Sequence, residues 1–135
     1  MFLLDTVVLS ELRKRDRSQR VVEWVSRQRS ADLYLSVISV GEIERGIRLQ
    51  QSKNPNFSAA LSDWLDRVIA LYADRILDVN LGASRRWGKL SGELGHDSAD
   101  LLIAATALEN GLAVVSRNVK HFRPSGVEII NPWED

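Results

Sequence analysis

The chain contains no cysteine, which excludes a disulfide framework, a thiolate nucleophile and a Cys-based zinc site. Histidine is almost as scarce, with only His96 and His121 present. That is too few for the usual nitrogen-rich metal centres, so any metal is expected to be a hard cation held by oxygen. Neither G-x-x-x-x-G-K-[ST] nor G-x-G-x-x-G occurs, which removes the Gly-rich phosphate loops. No apolar run approaches the roughly 20 residues needed to span a bilayer, and no basic-then-apolar leader precedes Asp5. A cytoplasmic protein without membrane association is therefore expected. Net charge is missing too, since 18 basic and 18 acidic residues cancel, unlike the global positive charge of a non-specific nucleic-acid coat protein.

What is present is an ordinary globular composition and a repeating alternation of elements. At 135 residues the chain is expected to be a single domain, 1–135, large enough to bury a core unaided. Short apolar runs at Phe2 to Asp5, Leu33 to Ser36, Ile76 to Val79, Ala113 to Ser116 and Val127 to Ile130 predict strands. Between them lie segments of helical spacing: Thr6 to Leu12, a helix capped by Ser18, Val37 to Gln51, Phe57 to Tyr72, a helix from Asn80 to about Leu94, and Leu101 to Leu108 ended by Asn110-Gly111. Strands alternating with helices predict an α/β fold with a central, mainly parallel sheet covered on both faces. In such sheets, ligands bind beyond the carboxyl ends of the strands.

Three acids stand at the ends of apolar stretches. Asp5 closes Phe2-Leu3-Leu4, Glu42 follows Ser39-Val40-Gly41, and Asp100 opens Leu101-Leu102-Ile103-Ala104-Ala105. Asp100 taken singly has a structural explanation, because a carboxylate is favoured in the first turn of a helix. Asp5 is harder to explain that way, since an aspartate after three large apolar residues is costly to bury without a partner. If the three share one sheet edge, the cluster calls for Mg²⁺ or Mn²⁺, which would activate a water and neutralise charge on a phosphodiester. With no histidine near a serine nucleophile, covalent acyl chemistry is poorly supported.

At these residues the chain resembles the PIN-domain family, in particular the VapC/FitB-type toxin ribonucleases of toxin–antitoxin modules. The matching pieces are Leu4-Asp5-Thr6 with Ser10-Glu11, Ser36 to Glu42 with Gly46-Ile47, Asp100 to Ala107, Val115 to Phe122, and Asn131-Pro132-Trp133. Five blocks in register from residue 2 to 133 are specific where any one is weak. The resemblance implies an α/β/α sandwich and Mg²⁺- or Mn²⁺-dependent cleavage of RNA, with transfer RNA as a suggested target. It also implies a small VapB-like antitoxin that covers the acidic pocket, and a homodimer within a larger toxin–antitoxin assembly.

Residue by residue, Asp5, Glu42 and Asp100 match the family's acidic triad, with Asp5 and Asp100 as metal ligands. Asn118 falls where many members carry a fourth acid, and an asparagine oxygen can still bind a metal or its water. His121 stands where relatives often have aspartate, and is expected to be a surface histidine beside Lys120. Asp97 is a further candidate for negative charge, although a position at the start of a helix explains it sufficiently. Thr6 and Ser116 are expected to be hydroxyls that orient the carboxylates.

Seven basic residues against three acids between Glu11 and Ser30 make a local positive surface. Arg13 and Arg15 from that run, with Arg117 beside the pocket, are the candidates for RNA phosphate contacts. Trp24 and Trp64 are assigned to the core, and Trp87 is the better candidate for an exposed ring. The apolar stripe from 57 to 72 exceeds what one sheet face needs. Two competing readings remain. One is a catalytically inactive PIN-like RNA-binding or protein-interaction module, and the other a phosphatase with Asp5 as nucleophile. Val7 at the second acidic position argues against the latter.

Overall fold

The computed structural model describes residues 1–134. Five parallel strands, β1 (Phe2–Leu4), β2 (Leu33–Ser36), β3 (Ile76–Leu77), β4 (Ala113–Val115) and β5 (Ile129–Ile130), form one sheet in the order β3-β2-β1-β4-β5. Seven helices among the described residues connect them: α1 (Thr6–Arg13), α2 (Gln19–Ser26), α3 (Val37–Gln50), α4 (Pro55–Tyr72), α5 (Leu81–Leu94), α6 (Ala99–Asn110) and α7 (Val119–Phe122). The chain moves outward from β1 through β2 to β3, then crosses back to β4 on the other side of β1. The order therefore reverses between β1 and β4.

Because side chains alternate along a strand, adjacent residues of β1 serve different cores. Leu4 packs with Leu35 and Val115 against Val8 of α1, Val21 of α2, Ile43 and Ile47 of α3, and Leu65 and Val68 of α4. Leu3 packs with Val114 against Ile103, Ala104 and Ala107 of α6 and Phe122 of α7. Burial on both faces is why the inner strands read as unbroken apolar runs. The registers Phe2↔Leu33 and Leu4↔Val115 bring the carboxyl ends of β1, β2 and β4 level.

Two helices start directly at that edge. Asp5 caps α1 by accepting from the Thr6 backbone N–H at 2.8 Å, and Ser36 caps α3 by accepting from the Ile38 N–H at 3.0 Å. Gly111, at φ 67°, ends α6 in the left-handed region as Asn110-Gly111 predicts. On α4, Leu65, Val68 and Tyr72 are buried while Ile69 and Leu71 remain exposed.

The structure differs from expectation at small elements. Strands β3 and β5 are two residues long rather than four, since each lies at a sheet edge and pairs on one side only. Helix α7 is not predicted, because four residues are too few to display a helical period. Ser98, a residue type that commonly caps the following helix through its side chain, holds the N-cap position of α6 without making that hydrogen bond. No helix among the described residues is long and apolar enough to cross a membrane.

Candidate active site

Open parallel sheets bind ligands in the crevice where the strand order reverses, and Asp5 stands directly after β1, at the reversal between β1 and β4. The Asp5 backbone N–H continues the ladder to the Val115 carbonyl at 3.0 Å, which fixes the residue in the sheet rather than in a loop. The residue is 3% exposed. One oxygen accepts from the Thr6 N–H, and the other accepts from the Ser116 hydroxyl at 2.7 Å. Ser116 in turn accepts from the Asn118 N–H at 2.9 Å, so one hydroxyl ties the loop after β4 to the buried acid.

Among the described residues, no lysine or arginine forms an ion pair with Asp5. Its pKa is raised from 3.8 to about 6. Loss of solvation is the largest cause, and the negative charges of Asp100 and Glu42 add to it against the lowering effect of the Ser116 and Thr6 hydrogen bonds. The three carboxylates therefore sense one another, and the buried one carries an uncompensated charge.

Glu42, on α3, is exposed and is held from α1. The Thr6 hydroxyl lies 2.7 Å from Glu42 Oε1 and 2.8 Å from Ser39 Oγ. A hydroxyl has one proton and a carboxylate can only accept, so Thr6 donates to Glu42 and Ser39 donates to Thr6. Asp100 stands in the first turn of α6, with Oδ2 2.9 Å from His121 Nδ1. By the same reasoning Nδ1 carries the proton, leaving Nε2 free on a ring whose side chain is 63% exposed. His121 is thus more than a surface histidine beside Lys120: it holds one oxygen of Asp100.

The structure does not bring all the sequence candidates together. Asp97 is exposed and does not enter the electrostatic surroundings of Asp5. Asn118 contributes its backbone N–H to Ser116, and its side chain lines a neighbouring groove. Arg13 ends α1, eight residues and about 12 Å of helix away from Asp5. There its guanidinium lies over the Phe57 ring at 5.2 Å. Arg15 is exposed in the following turn. Trp87 is half-buried, with an enclosed Nε1 that has no acceptor. Ser39 and His121 are the contacts that sequence reasoning missed. A small hydroxyl within the inward face of α3 is the only signal for the first, and the aspartate expected at position 121 is the signal for the second.

Chemically, the cluster offers carboxylate oxygens and a single imidazole. Among the described residues, no three acid or histidine side chains stand at ligand spacing around one point. A cation seated at Asp5 and Asp100 would keep solvent in the rest of its shell, which is how Mg²⁺ is usually bound. The charge on Asp5 fits such an ion, since burial leaves it without a counter-charge. A hollow of about 630 Å³ between α2 and β5 holds none of the three acids.

This geometry can be set beside known proteins. The PIN domain family model matches residues 2–125. The chain belongs to the PIN-domain family. It is 35% identical over 141 residues to the VapC ribonuclease Y4jK of Sinorhizobium fredii, covering 99% of each chain. It is 33% identical over 149 residues to toxin FitB of Neisseria gonorrhoeae, covering 100% of each. The crystal structure of FitAcB from Neisseria gonorrhoeae superimposes with a TM-score of 0.88 at 32% identity, covering 100% of both chains. The PIN fold thus accounts for the parallel sheet, the reversal between β1 and β4, and the helices on both faces.

Proposed function

We propose that this PIN-domain protein is an endoribonuclease toxin of a toxin–antitoxin module, working in the cytoplasm with Mg²⁺ or Mn²⁺. The observation that carries the reading is Asp5: a buried carboxylate at the reversal point, raised to a pKa of about 6 and facing Asp100 and Glu42 with no cationic side chain paired to it. Retaining an unpaired buried charge is expensive unless something else balances it. The names of the VapC ribonuclease and FitB toxin relatives point the same way.

In this reading Asp5 and Asp100 hold the ion. When bound, the ion supplies Lewis-acid stabilisation of charge on the phosphodiester and lowers the pKa of water. The chain's own residues do the positioning. Ser116 fixes one oxygen of Asp5, His121 fixes one oxygen of Asp100, and the Ser39–Thr6 chain aims Glu42. Orientation of this kind commonly sets metal affinity within a factor of about 10–100. His121→Ala is therefore expected to weaken Mn²⁺ binding by that factor in calorimetric titration, and unchanged affinity would remove His121 from the positioning set. A toxin of this kind needs a restraint, and a small VapB-like antitoxin that covers the acidic crevice is the partner proposed, within a dimeric assembly.

The test is 5′-end mapping of total RNA after brief induction of the chain, with Asp100→Asn as control. A discrete set of new ends, absent from the control, is expected, and it would reveal whether transfer RNA is the target. Identical end profiles from two soluble proteins would overturn the nuclease reading. The inert RNA-binding module has one observation in its favour, the amide of Asn118 in place of a fourth carboxylate. RNA binding without cleavage across a Mg²⁺ and Mn²⁺ titration would select it.

A further inference from the structure

His121 touches the acid cluster on one side and lines a second groove, of about 410 Å³, on the other. That groove contains Arg117, Asn118, Lys120 and Arg123, with Glu134 as its one acid among the described residues. Among the described residues, Arg117, Lys120 and Arg123 make no ion pair. Arg117 is placed by an aromatic contact instead, with its guanidinium 5.3 Å from the centre of the Trp133 ring. Stacking of this kind holds the plane while leaving the N–H edges available to an anion.

The three cations recur every third residue, from the loop before α7, through α7, into the 3₁₀ turn Arg123–Ser125 that follows it. Lys120 and Arg123, three apart in helical backbone, fall on one side about 5–6 Å apart, and Arg117, in the bend before Asn118, joins them in lining the same groove. Three positive groups without an ion pair along one groove suit the successive phosphates of one nucleic-acid strand. The groove also leads to the acids. Lys120 and His121 line an adjoining groove that contains Asp100. A strand with one phosphate at Asp5 and Asp100 meets repulsion from three carboxylates, and cations on the next stretch of its path offset it.

We propose that Arg117, Lys120 and Arg123 form the track that binds the phosphates of single-stranded RNA flanking the cleaved bond. The proposal rests on the ribonuclease reading and adds to it where the strand lies. Such contacts supply affinity without base choice, and each should contribute to the salt dependence of binding.

The test is fluorescence anisotropy of a short labelled single-stranded RNA with the full chain in EDTA, where divalent ions are absent, over a series of salt concentrations. Arg117→Ala, Lys120→Ala and Arg123→Ala are each expected to weaken binding several-fold and to lower the slope of log K against log salt by about 0.7. Arg29→Ala, an exposed residue before β2 paired with Asp32, serves as the control with an unchanged slope. Steady-state cleavage with Mn²⁺ is expected to show raised KM and little change in kcat for the three track variants. Unchanged salt slopes in all three, or a fall in kcat at constant KM, would overturn the track. So would wild-type RNA binding together with lost binding of an acidic peptide, which would assign the groove to a protein partner. The two readings fail separately: cleavage by the wild type with indifferent variants removes the track alone, whereas salt-dependent binding through these residues without any cleavage removes the nuclease alone.

Discussion

Helix α1 carries a buried acid near each end, and the two are used differently. Glu11, 8% exposed, accepts from the Ser18 backbone N–H at 2.8 Å and pairs with Lys14 at 3.4 Å. Both partners are close in sequence, and the result joins the end of α1 to the start of α2. Asp5, 3% exposed, has a backbone N–H and a hydroxyl as partners and two other acids as its charged surroundings. One carboxylate is consumed by the structure, and the other is held in position with its charge unmatched. Burial alone therefore does not identify a working acid. What separates the two is whether a cation is already supplied.

Removing the charge at Asp5 should produce the largest effect, in opposite directions for activity and stability. Asp5→Asn is expected to abolish RNA cleavage. Its effect on stability follows from the raised pKa. Because the folded-state pKa of about 6 lies above the ordinary 3.8, the group favours the fold below about pH 4 and loses that contribution as pH rises through 6. At pH 7 the metal-free wild type bears the full penalty, at most about 3 kcal/mol for a rise of that size. The Asp5→Asn variant should therefore melt higher than wild type at pH 7 in EDTA and match it near pH 4. Added Mn²⁺ should stabilise only the wild type. A lower melting temperature at pH 7 for the variant, or an equal response to Mn²⁺, would mean that Asp5 resembles Glu11 after all.

The converse change sharpens the contrast. Glu11→Ala leaves the Ser18 N–H without its acceptor in a largely buried setting, and a lost partner of this kind costs about 1–3 kcal/mol. Urea denaturation should show that loss, with kcat for RNA cleavage unchanged well below the transition. A fall in kcat without loss of stability would place Glu11 in the active crevice.

The difference between the two acids was partly legible in the chain. The alternation of apolar runs and helical spacing gives the sheet and its two covered faces, and acids closing those runs mark its carboxyl edge. Asp5 stands out because three apolar residues precede it, a signal that depends only on local order. Contacts between distant elements are not fixed by local order. His121 and Asp100 are 21 residues apart, and their meeting depends on how α7 packs against α6. The positive run around Arg13 and Arg15 shows the same limit: charge density is visible in sequence, whereas the distance at which α1 carries those residues from the edge where it begins is not. The grouping of Arg117, Lys120 and Arg123 becomes meaningful only once the bend before α7 and the helix itself are known to bring them to one groove.

The smallest expected effect comes from the hydroxyl that aims Glu42. Thr6→Val keeps the shape of the side chain but removes the donor to Glu42 and the acceptor for Ser39, which is fully buried. An unpaired Ser39 hydroxyl should cost about 1 kcal/mol. Glu42 is exposed, so water can replace part of what Thr6 supplied, and cleavage should fall by no more than about tenfold. Thr6→Ser restores both hydrogen bonds and should recover most of the rate, which separates orientation from packing. A loss in Thr6→Val as complete as that in Asp5→Asn would show that the hydroxyl itself meets the reacting phosphate, and the boundary between holding the acids and doing the chemistry would move to include α1's first residue.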